Sequence, residues 1–412
     1  MKILYLTQYF TPEFGAAAAR ARSMTRWLAR FGHEVTVITA LPNYLMEEIP
    51  ASYRGKRWML EEIDGVRVYR AWLYTSPKRD NWRRMANYLS FMTSSWWYGR
   101  KLSGPFDVVI TSSPPLFLGL TGVALARRFH APLVFDVRDL WPEVGVRLGA
   151  FRPGSLTLRV WEKMADYAYQ HAAVIVPVTR GMQKDMILRG LPPEKLHLIP
   201  NGVDLEFVQE DAPDLRKELG LEDKFVVLYA GLLGAMHGPE IIAEAAHMLR
   251  ERRDIHFLIV GDGVRREAVA TRMNELALDN VTMLPMQSQD RVPRFLETAD
   301  VCLATLANSS VKGVVHYKML EAWAYRRPVI VTDEDEGGEL ARSCHAGPVT
   351  PPGDARALAD AILALEADRA LVKRMGENGR RCIEESLNRE VLARKMEQML
   401  ADILDERSGK TN

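Results

Sequence analysis

Apolar runs of about five residues recur along the chain and alternate with stretches whose apolar positions fall three and four apart. Lys2–Leu6, Val35–Thr39, Val66–Arg70, Asp107–Thr111, Pro132–Asp136 and Val174–Val178 read as short buried strands. The helical period appears between them, at residues 17–31, Leu116–Phe129, Ser155–Ala172 and Gly181–Leu188. Residues 41–65 carry neither pattern and are expected to be irregular. The alternation restarts at Phe225–Ala230 and continues through strands His256–Val260, Asn280–Leu284, Val301–Thr305 and Pro328–Thr332. Its helices fall at Pro239–Arg252, before Ala277 and at Tyr317–Tyr325. Helices at Ala355–Leu365, Leu371–Ile383 and Asn388–Leu404 precede a polar tail, Asp405–Asn412, expected to be disordered. Alternation of this kind predicts an α/β protein whose mostly parallel sheets carry helices on both faces, here in two Rossmann-like domains. An Asn-Gly turn at Asn201–Gly202 and the charged stretch Gln209–Asp223 mark the joint.

Composition narrows the function without naming it. The chain has 412 residues, 47% of them hydrophobic and 26% charged, which suits two full cores in an ordinary globular protein. Lys and Arg total 54 against 53 Asp and Glu, so no overall field favours nucleic acid, and none is expected as a partner. Cys302, Cys344 and Cys382 show neither metal-ligand spacing nor a disulfide framework, which fits a reducing cytoplasm. The N-terminal sequence enters a strand pattern directly, so no signal peptide is expected, and no run of 18 apolar residues is present.

One stretch concentrates the candidate chemistry: residues 311–332, a loop, a short helix and a buried strand. The amino end of a helix presents unpaired N–H groups to an anion. Lys318 in its first turn adds a point charge suited to phosphate, and Glu321 is placed to accept hydrogen bonds from vicinal hydroxyls such as those of a ribose. Together they are what a nucleotide diphosphate needs; the same residues also fit a helix with a solvated Lys and Glu. Glycines mark further loops. Gly15 follows the first strand, Gly231, Gly234 and Gly238 precede a helix, and Gly261-Asp262-Gly263 ends a strand. Each is a phosphate-facing loop or a turn alone. Gly337-Gly338 after Asp333 reads as an anion-holding nest or a plain acidic turn.

In the first half, Arg138 and Asp139 lie at the carboxyl end of a parallel strand, where open α/β sheets bind ligands. A structural Asp–Arg pair is the alternative there. Residues 78–102 form a basic, aromatic segment with Lys78, Arg79, Arg83, Arg84, Arg100 and Lys101 beside Trp82, Trp96, Trp97 and Tyr98. Met85, Tyr88, Leu89, Met92 and Trp96 share one helical face. That face fits a peripheral membrane contact or a core-facing helix with solvated charges.

The order of these motifs resembles the retaining glycosyltransferases of the GT-B fold, family four. The resemblance rests on Ile199-Pro200-Asn201-Gly202-Val203-Asp204, Gly261–Gly263, Lys318 and Glu321, and Pro328-Val329-Ile330, and it covers nearly the whole chain. The run Arg138-Asp139-Leu140-Trp141-Pro142-Glu143 is similar to the subgroup that builds bacterial surface polysaccharides with amino sugars or deoxysugars. Departures are visible. His316 stands where the family usually has Pro, Gly313 where a second glutamate is frequent, Arg326 where the turn glycine falls, Leu232 where Arg or Asn is common, His237 where Lys or Gln precedes the last loop glycine, and Arg138-Asp139 where many members carry His-Asp.

The resemblance implies two doubly wound domains facing across a cleft, residues 1–204 on the acceptor side and 205–385 on the donor side, with 386–412 returning to the first. It implies transfer of a hexosyl or N-acetylhexosaminyl group from a nucleotide sugar, UDP-linked, to a glycan or polyprenyl-diphosphate-linked sugar, with retention and without metal or other cofactor. Donor binding falls on Gly15, Gly234, His237, Gly261, Met286, Lys318, Met319, Leu320 and Glu321. Asp139 and Arg138 are the acceptor-side catalytic candidates. The expected place is the cytoplasm, on the inner face of the membrane. A sugar-nucleotide epimerase of the same architecture and a non-catalytic partner subunit are the competing readings.

Overall fold

A computed structural model describes residues 1–13, 15–43, 50–76, 81–147, 151–310 and 312–409. Lys78, Arg79, Val311 and the last three residues of the tail therefore lie outside the described residues. The chain divides into two compact units, one of residues Met1–Pro200 with Arg389–Asn412, the other of Asn201–Asn388.

The first unit is built on strands β1 (Lys2–Leu6), β2 (Glu34–Ala40), β3 (Trp58–Ile63), β4 (Val66–Ala71), β5 (Val108–Ser113), β6 (Leu133–Val137) and β7 (Val174–Pro177). They form one sheet in the order β3-β4-β2-β1-β5-β6-β7, parallel except for β3, which runs antiparallel to β4. The parallel strands read as continuous apolar runs because both faces are covered. Side-chain alternation sends Ile3 and Tyr5 of β1 to one face and Leu4 and Leu6 to the other. The first face packs against helix Ala16–Arg30 through Met24, Trp27 and Leu28, and against helix Arg389–Arg407 through Leu392, Met396 and Leu400. The second face packs against Phe91, Leu118, Leu125, Trp161 and Tyr169 from the helices that follow β4, β5 and β6. Ser155 caps helix Leu156–His171 by accepting a hydrogen bond from the Leu158 amide at 3.2 Å, and Thr179 caps helix Arg180–Leu188 in the same way.

The second unit holds β8 (Phe225–Ala230), β9 (Ile255–Val260), β10 (Val281–Leu284), β11 (Val301–Thr305) and β12 (Val329–Thr332), all parallel, in the order β10-β9-β8-β11-β12. Alternation again divides the core: Val226 and Leu228 lie on one face of β8, Phe225, Val227 and Tyr229 on the other. Each sheet reverses strand order once, between β1 and β5 in the first unit and between β8 and β11 in the second. The carboxyl ends of strands at such a reversal leave a crevice for ligands.

Four expectations are corrected. Residues 41–65 are not all irregular, because Trp58–Ile63 is the antiparallel edge strand β3. The tail is helical as far as Arg407. Cys344 and Cys382, 38 residues apart in sequence, are disulfide-bonded with their Cα atoms 5.8 Å apart, because they end two neighbouring helices, Glu336–Ser343 and Arg369–Cys382. The apolar stripe expected on helix Asn81–Gly99 is split: Met85, Tyr88 and Met92 pack on the core beside the fully buried Phe91, while Leu89 and Trp96 stay exposed. Arg326, where a turn glycine was the alternative, adopts φ 55°, which costs a non-glycine residue about 1 kcal/mol. Its guanidinium is held by Glu210 at 3.1 Å and Glu377 at 3.4 Å.

Candidate functional site

In the second unit the loops after β8 and β9 run backbone to backbone at the strand-order reversal. A Cβ on Gly261 would lie 1.9 Å from the Gly231 carbonyl oxygen, and one on Gly263 would lie 2.5 Å from that of Leu233. Only glycine permits this approach. The Leu233 amide donates to the Asp262 carbonyl at 2.8 Å, and the Thr305 hydroxyl at the end of β11 donates to the His237 carbonyl at 2.7 Å. Gly234 is less constrained, since its Cβ would meet nothing closer than 3.5 Å.

Helix Tyr317–Ala324 starts beside this loop. The Lys318 ammonium lies 3.4 Å from where a Gly231 Cβ would be and 3.7 Å from the centre of the Tyr229 ring. Three buried nitrogens meet here without a hydrogen-bond partner: Lys318 Nζ, His237 Nδ1 and His316 Nε2. The two imidazole rings are 5.8 Å apart. Burial pushes Lys318 down to about 7. It also pushes His237 down to about 4 and His316 to about 3, and the Lys318 charge pushes both the same way. Buried polar groups are nearly always paired, so three orphan nitrogens at one place leave hydrogen-bonding capacity that a polar ligand can take up.

The other donor candidates fall around this cluster unevenly. Glu321 is half-buried, three residues on from Lys318 and within electrostatic reach of Cys302 and Tyr325. Met286 is half exposed just after β10. Met319 and Leu320 contribute no side chain, because both are fully buried in the core on the inward stripe of the helix. The Gly337–Gly338 nest is closed from within. Asp333 accepts hydrogen bonds from the amides of Asp335 at 2.9 Å and Gly337 at 3.1 Å. The Gly313 amide donates to Asp335 at 2.6 Å, which pins the loop ahead of His316.

In the first unit, Gly15 and Asp139 line one cavity of about 1110 Å³ at the reversal between β1 and β5. Gly15 precedes helix Ala16–Arg30 with φ 105°, a conformation that other residues rarely adopt. Asp139 is exposed. Arg138 is a fastener: its guanidinium donates to the carbonyls of Ser113 at 3.3 Å and Pro114 at 3.1 Å, which holds the end of β5.

Sequence reasoning missed His316 as a member of the nitrogen cluster, though its place two residues before Lys318 was a signal. It also missed a buried pair. Arg20 grips Asp136 through two hydrogen bonds of 3.1 and 2.9 Å and donates to the carbonyls of Ile199 and Pro200, the last residues of the first unit's main segment. The Tyr5 hydroxyl donates to the same carboxylate at 3.3 Å. Among the described residues no cluster of His, Cys, Asp or Glu could hold a metal ion, and no helix is long and apolar enough to cross a membrane.

Two doubly wound parallel sheets, each opening glycine-bearing loops at its carboxyl edge, are the architecture of GT-B glycosyltransferases. The Glycosyl transferase 4-like domain family matches residues 15–202 and the Glycosyl transferases group 1 family matches residues 211–382, and the chain belongs to these glycosyltransferases. It is 28% identical over 357 residues to WcaI of Escherichia coli (strain K12), a glycosyl transferase named provisionally for colanic acid biosynthesis, covering 84% of this chain and 87% of that protein. It is 30% identical over 265 residues to the alpha-D-kanosaminyltransferase of Streptomyces kanamyceticus, covering 62% of this chain and 66% of the relative. Its fold matches the crystal structure of Anabaena HepE in complex with UDP and glucose with a TM-score of 0.71, at 18% identity and over 98% of this chain and all of that one.

Proposed function

We propose that the chain transfers a sugar, with retention, from a UDP-linked donor to a glycan or a polyprenyl-diphosphate-linked sugar in the synthesis of a bacterial surface polysaccharide. The observation that carries this reading is the cluster of three unpartnered nitrogens beside the glycine loops of the second unit. The UDP bound by HepE and the process for which WcaI is named support the choice of donor and pathway class.

Lys318, His237 and the backbone around Gly234 and Gly261 take the diphosphate, Glu321 takes the ribose hydroxyls, and the backbone at Met286 takes the base. The Lys318 ammonium and the fixed amides offset the charge that grows on the leaving diphosphate, a role that falls to a metal ion in other transferases. In the first unit, Gly15 remains a donor-side candidate, and Asp139 meets the acceptor. Exposed Trp82, Trp96 and Trp97 on helix Asn81–Gly99, with Arg100 3.9 Å above the Trp97 ring, support a peripheral membrane contact, which the proposal places on the inner, cytoplasmic face.

Calorimetric titration with UDP, GDP, ADP and TDP, repeated on Glu321→Ala, tests the reading. The expected result is selective binding of UDP, which the variant loses. A variant that holds UDP as tightly as the wild type removes Glu321 from the site. Binding of none of the four overturns the donor assignment.

A further inference from the structure

We infer that the free edge of β3 is a docking surface for a second copy of this chain, with the two β3 strands paired antiparallel about a two-fold axis at Met59. The contact lies apart from the site for glycosyl transfer and does not depend on it.

Strand β3 ends the seven-stranded sheet, with β4 on one side only. The direction of its backbone groups follows from the ladder. The Leu41 amide donates to the Ala71 carbonyl at 3.0 Å, so Ala71 turns its N–H and C=O toward β2. Successive residues of a strand turn these groups to opposite sides. Arg70 therefore faces β3, and Met59, its opposite, faces back, as do Glu61 and Ile63. The N–H and C=O groups of Trp58, Leu60 and Glu62 point away from the sheet. Such an edge is a template for another strand unless Pro, a bulge or a covering element blunts it. From Trp58 to Ile63 there is no Pro, and the register with β4 runs unbroken over all 6 residues.

The side chains select the partner. Trp58 is 55% exposed and Leu60 48%, on one face of the strand. Lys56, just ahead of β3, and Glu62 are exposed and form no ion pair among the described residues. In an antiparallel pair the residues that exchange hydrogen bonds stand opposite each other, so outward residues must meet outward residues. With Met59 on the axis, Trp58 of each copy meets Leu60 of the other, and Lys56 stands opposite Glu62, twice by symmetry. Arg57 stands opposite Glu61, which Arg70 and Tyr53 already hold. The neighbouring registers of the same parity are poorer. Leu60 on Leu60 sets Trp58 against Glu62, and Trp58 on Trp58 sets Leu60 against Lys56. The strand is thus complementary to itself in charge and in apolar surface, as a two-fold contact requires. Opposite charges and aromatic–aliphatic pairs are the contacts that stabilise such ladders.

The test is sedimentation velocity of the full chain from about 1 to about 200 μM. One strand pair is a small contact, so the expected result is a reversible dimer with a dissociation constant on the order of 10 μM. Lys56→Glu and Glu62→Lys should each weaken it about tenfold, and the double variant, which restores the opposition of charges, should return to within about threefold of the wild type. Met59→Cys reads the register. Its Cα atoms should lie about 4.5 Å apart across the axis, within disulfide range. Glutathione disulfide should then link the copies, taking the electrons and protons of the two thiols. Leu60→Cys, opposite Trp58 and more than about 7 Å from its own copy, should stay unlinked. Circular dichroism and the unfolding temperature report that each variant is folded. A chain that stays monomeric at about 200 μM overturns the inference. A double variant no tighter than the single ones, or equal cross-linking at residues 59 and 60, overturns it too. So does a Glu62→Ala variant that associates more tightly than the wild type, because the edge charges would then keep copies apart.

Discussion

The ammonium of Lys318 rests 3.7 Å from the centre of the Tyr229 ring, and no hydrogen-bond acceptor reaches it. Tyr229 is fixed in turn, because its hydroxyl donates to the Leu232 carbonyl at 2.8 Å. A ring face stabilises a desolvated cation by about 2 kcal/mol, less than the loss of its water costs. The group therefore sits near the midpoint of its titration at neutral pH, at about 7, whereas an exposed lysine stays fully charged.

With the donor placed as proposed, its binding is proton-linked. The empty site holds Lys318 charged below pH 7 and neutral above it, while a bound diphosphate favours the charged form and raises its pKa. Binding above pH 7 must then take up a proton, and UDP affinity should fall by up to about tenfold per pH unit between 7 and 9. His237 and His316, pushed down to about 4 and 3, stay neutral across that window. Calorimetry in two buffers of different ionisation enthalpy measures the uptake directly. An affinity that does not change from pH 7 to 9, with no proton taken up, would show that Lys318 does not face the diphosphate.

The glycine loops supply a paired test of backbone contact. Gly261→Ala drives a methyl to within 1.9 Å of the Gly231 carbonyl, so the two loops must part. The expected cost is about 3 kcal/mol, with loss of UDP binding. Gly234→Ala meets no atom closer than 3.5 Å and should stay within about 0.5 kcal/mol of the wild type. Urea denaturation of both variants separates the two cases, and equal costs would contradict the loop geometry.

Arg20 and Asp136 are both buried, and their two hydrogen bonds leave each charge dependent on the other. Arg20→Ala strands the carboxylate and releases the carbonyls of Ile199 and Pro200. A loss of about 3–5 kcal/mol in the stability of the first unit is expected. A change under about 1 kcal/mol in chemical denaturation would mean that water replaces the guanidinium without cost.

What could be read in advance follows from the range of each interaction. The buried parallel strands announce themselves as apolar runs, and the helices between them by their period, because both signals are local. Trp58–Ile63 escaped because Glu61 and Glu62 stand side by side and break the period of two, and because an edge strand needs only one covered face. Lys318 and Glu321 were visible as neighbours on one helix. That His237 joins Lys318 was implied only by the resemblance, and the approach of Tyr229 and His316 was not visible, because the cluster depends on the parallel order of β8 and β11, which brings together loops far apart in the chain. Cys344 and Cys382 escaped for the same reason. The Gly337–Gly338 amides looked available to an anion only until the Asp333 carboxylate was seen to take one of them.

The exposed face of helix Asn81–Gly99 yields the last prediction. Trp82 is 82% exposed, Trp97 46% and Trp96 39%, which is unusual for the largest apolar side chain. Arg100 lies 4.8 Å above the Trp96 ring, and the Lys101 ammonium lies 4.9 Å from the centre of Trp97. Cations over indole rings combine an attraction for phosphate headgroups with an apolar surface that enters the interface. Each Lys or Arg near an anionic surface contributes about 1 kcal/mol. The full chain should therefore sediment with vesicles of phosphatidylglycerol and much less with phosphatidylcholine, and the difference should shrink as salt is raised. Trp96→Ala with Trp97→Ala should weaken sedimentation at low and high salt alike, whereas Arg100→Ala with Lys101→Ala should weaken it mainly at low salt. Equal sedimentation of the wild type and both double variants would leave these tryptophans without a membrane role.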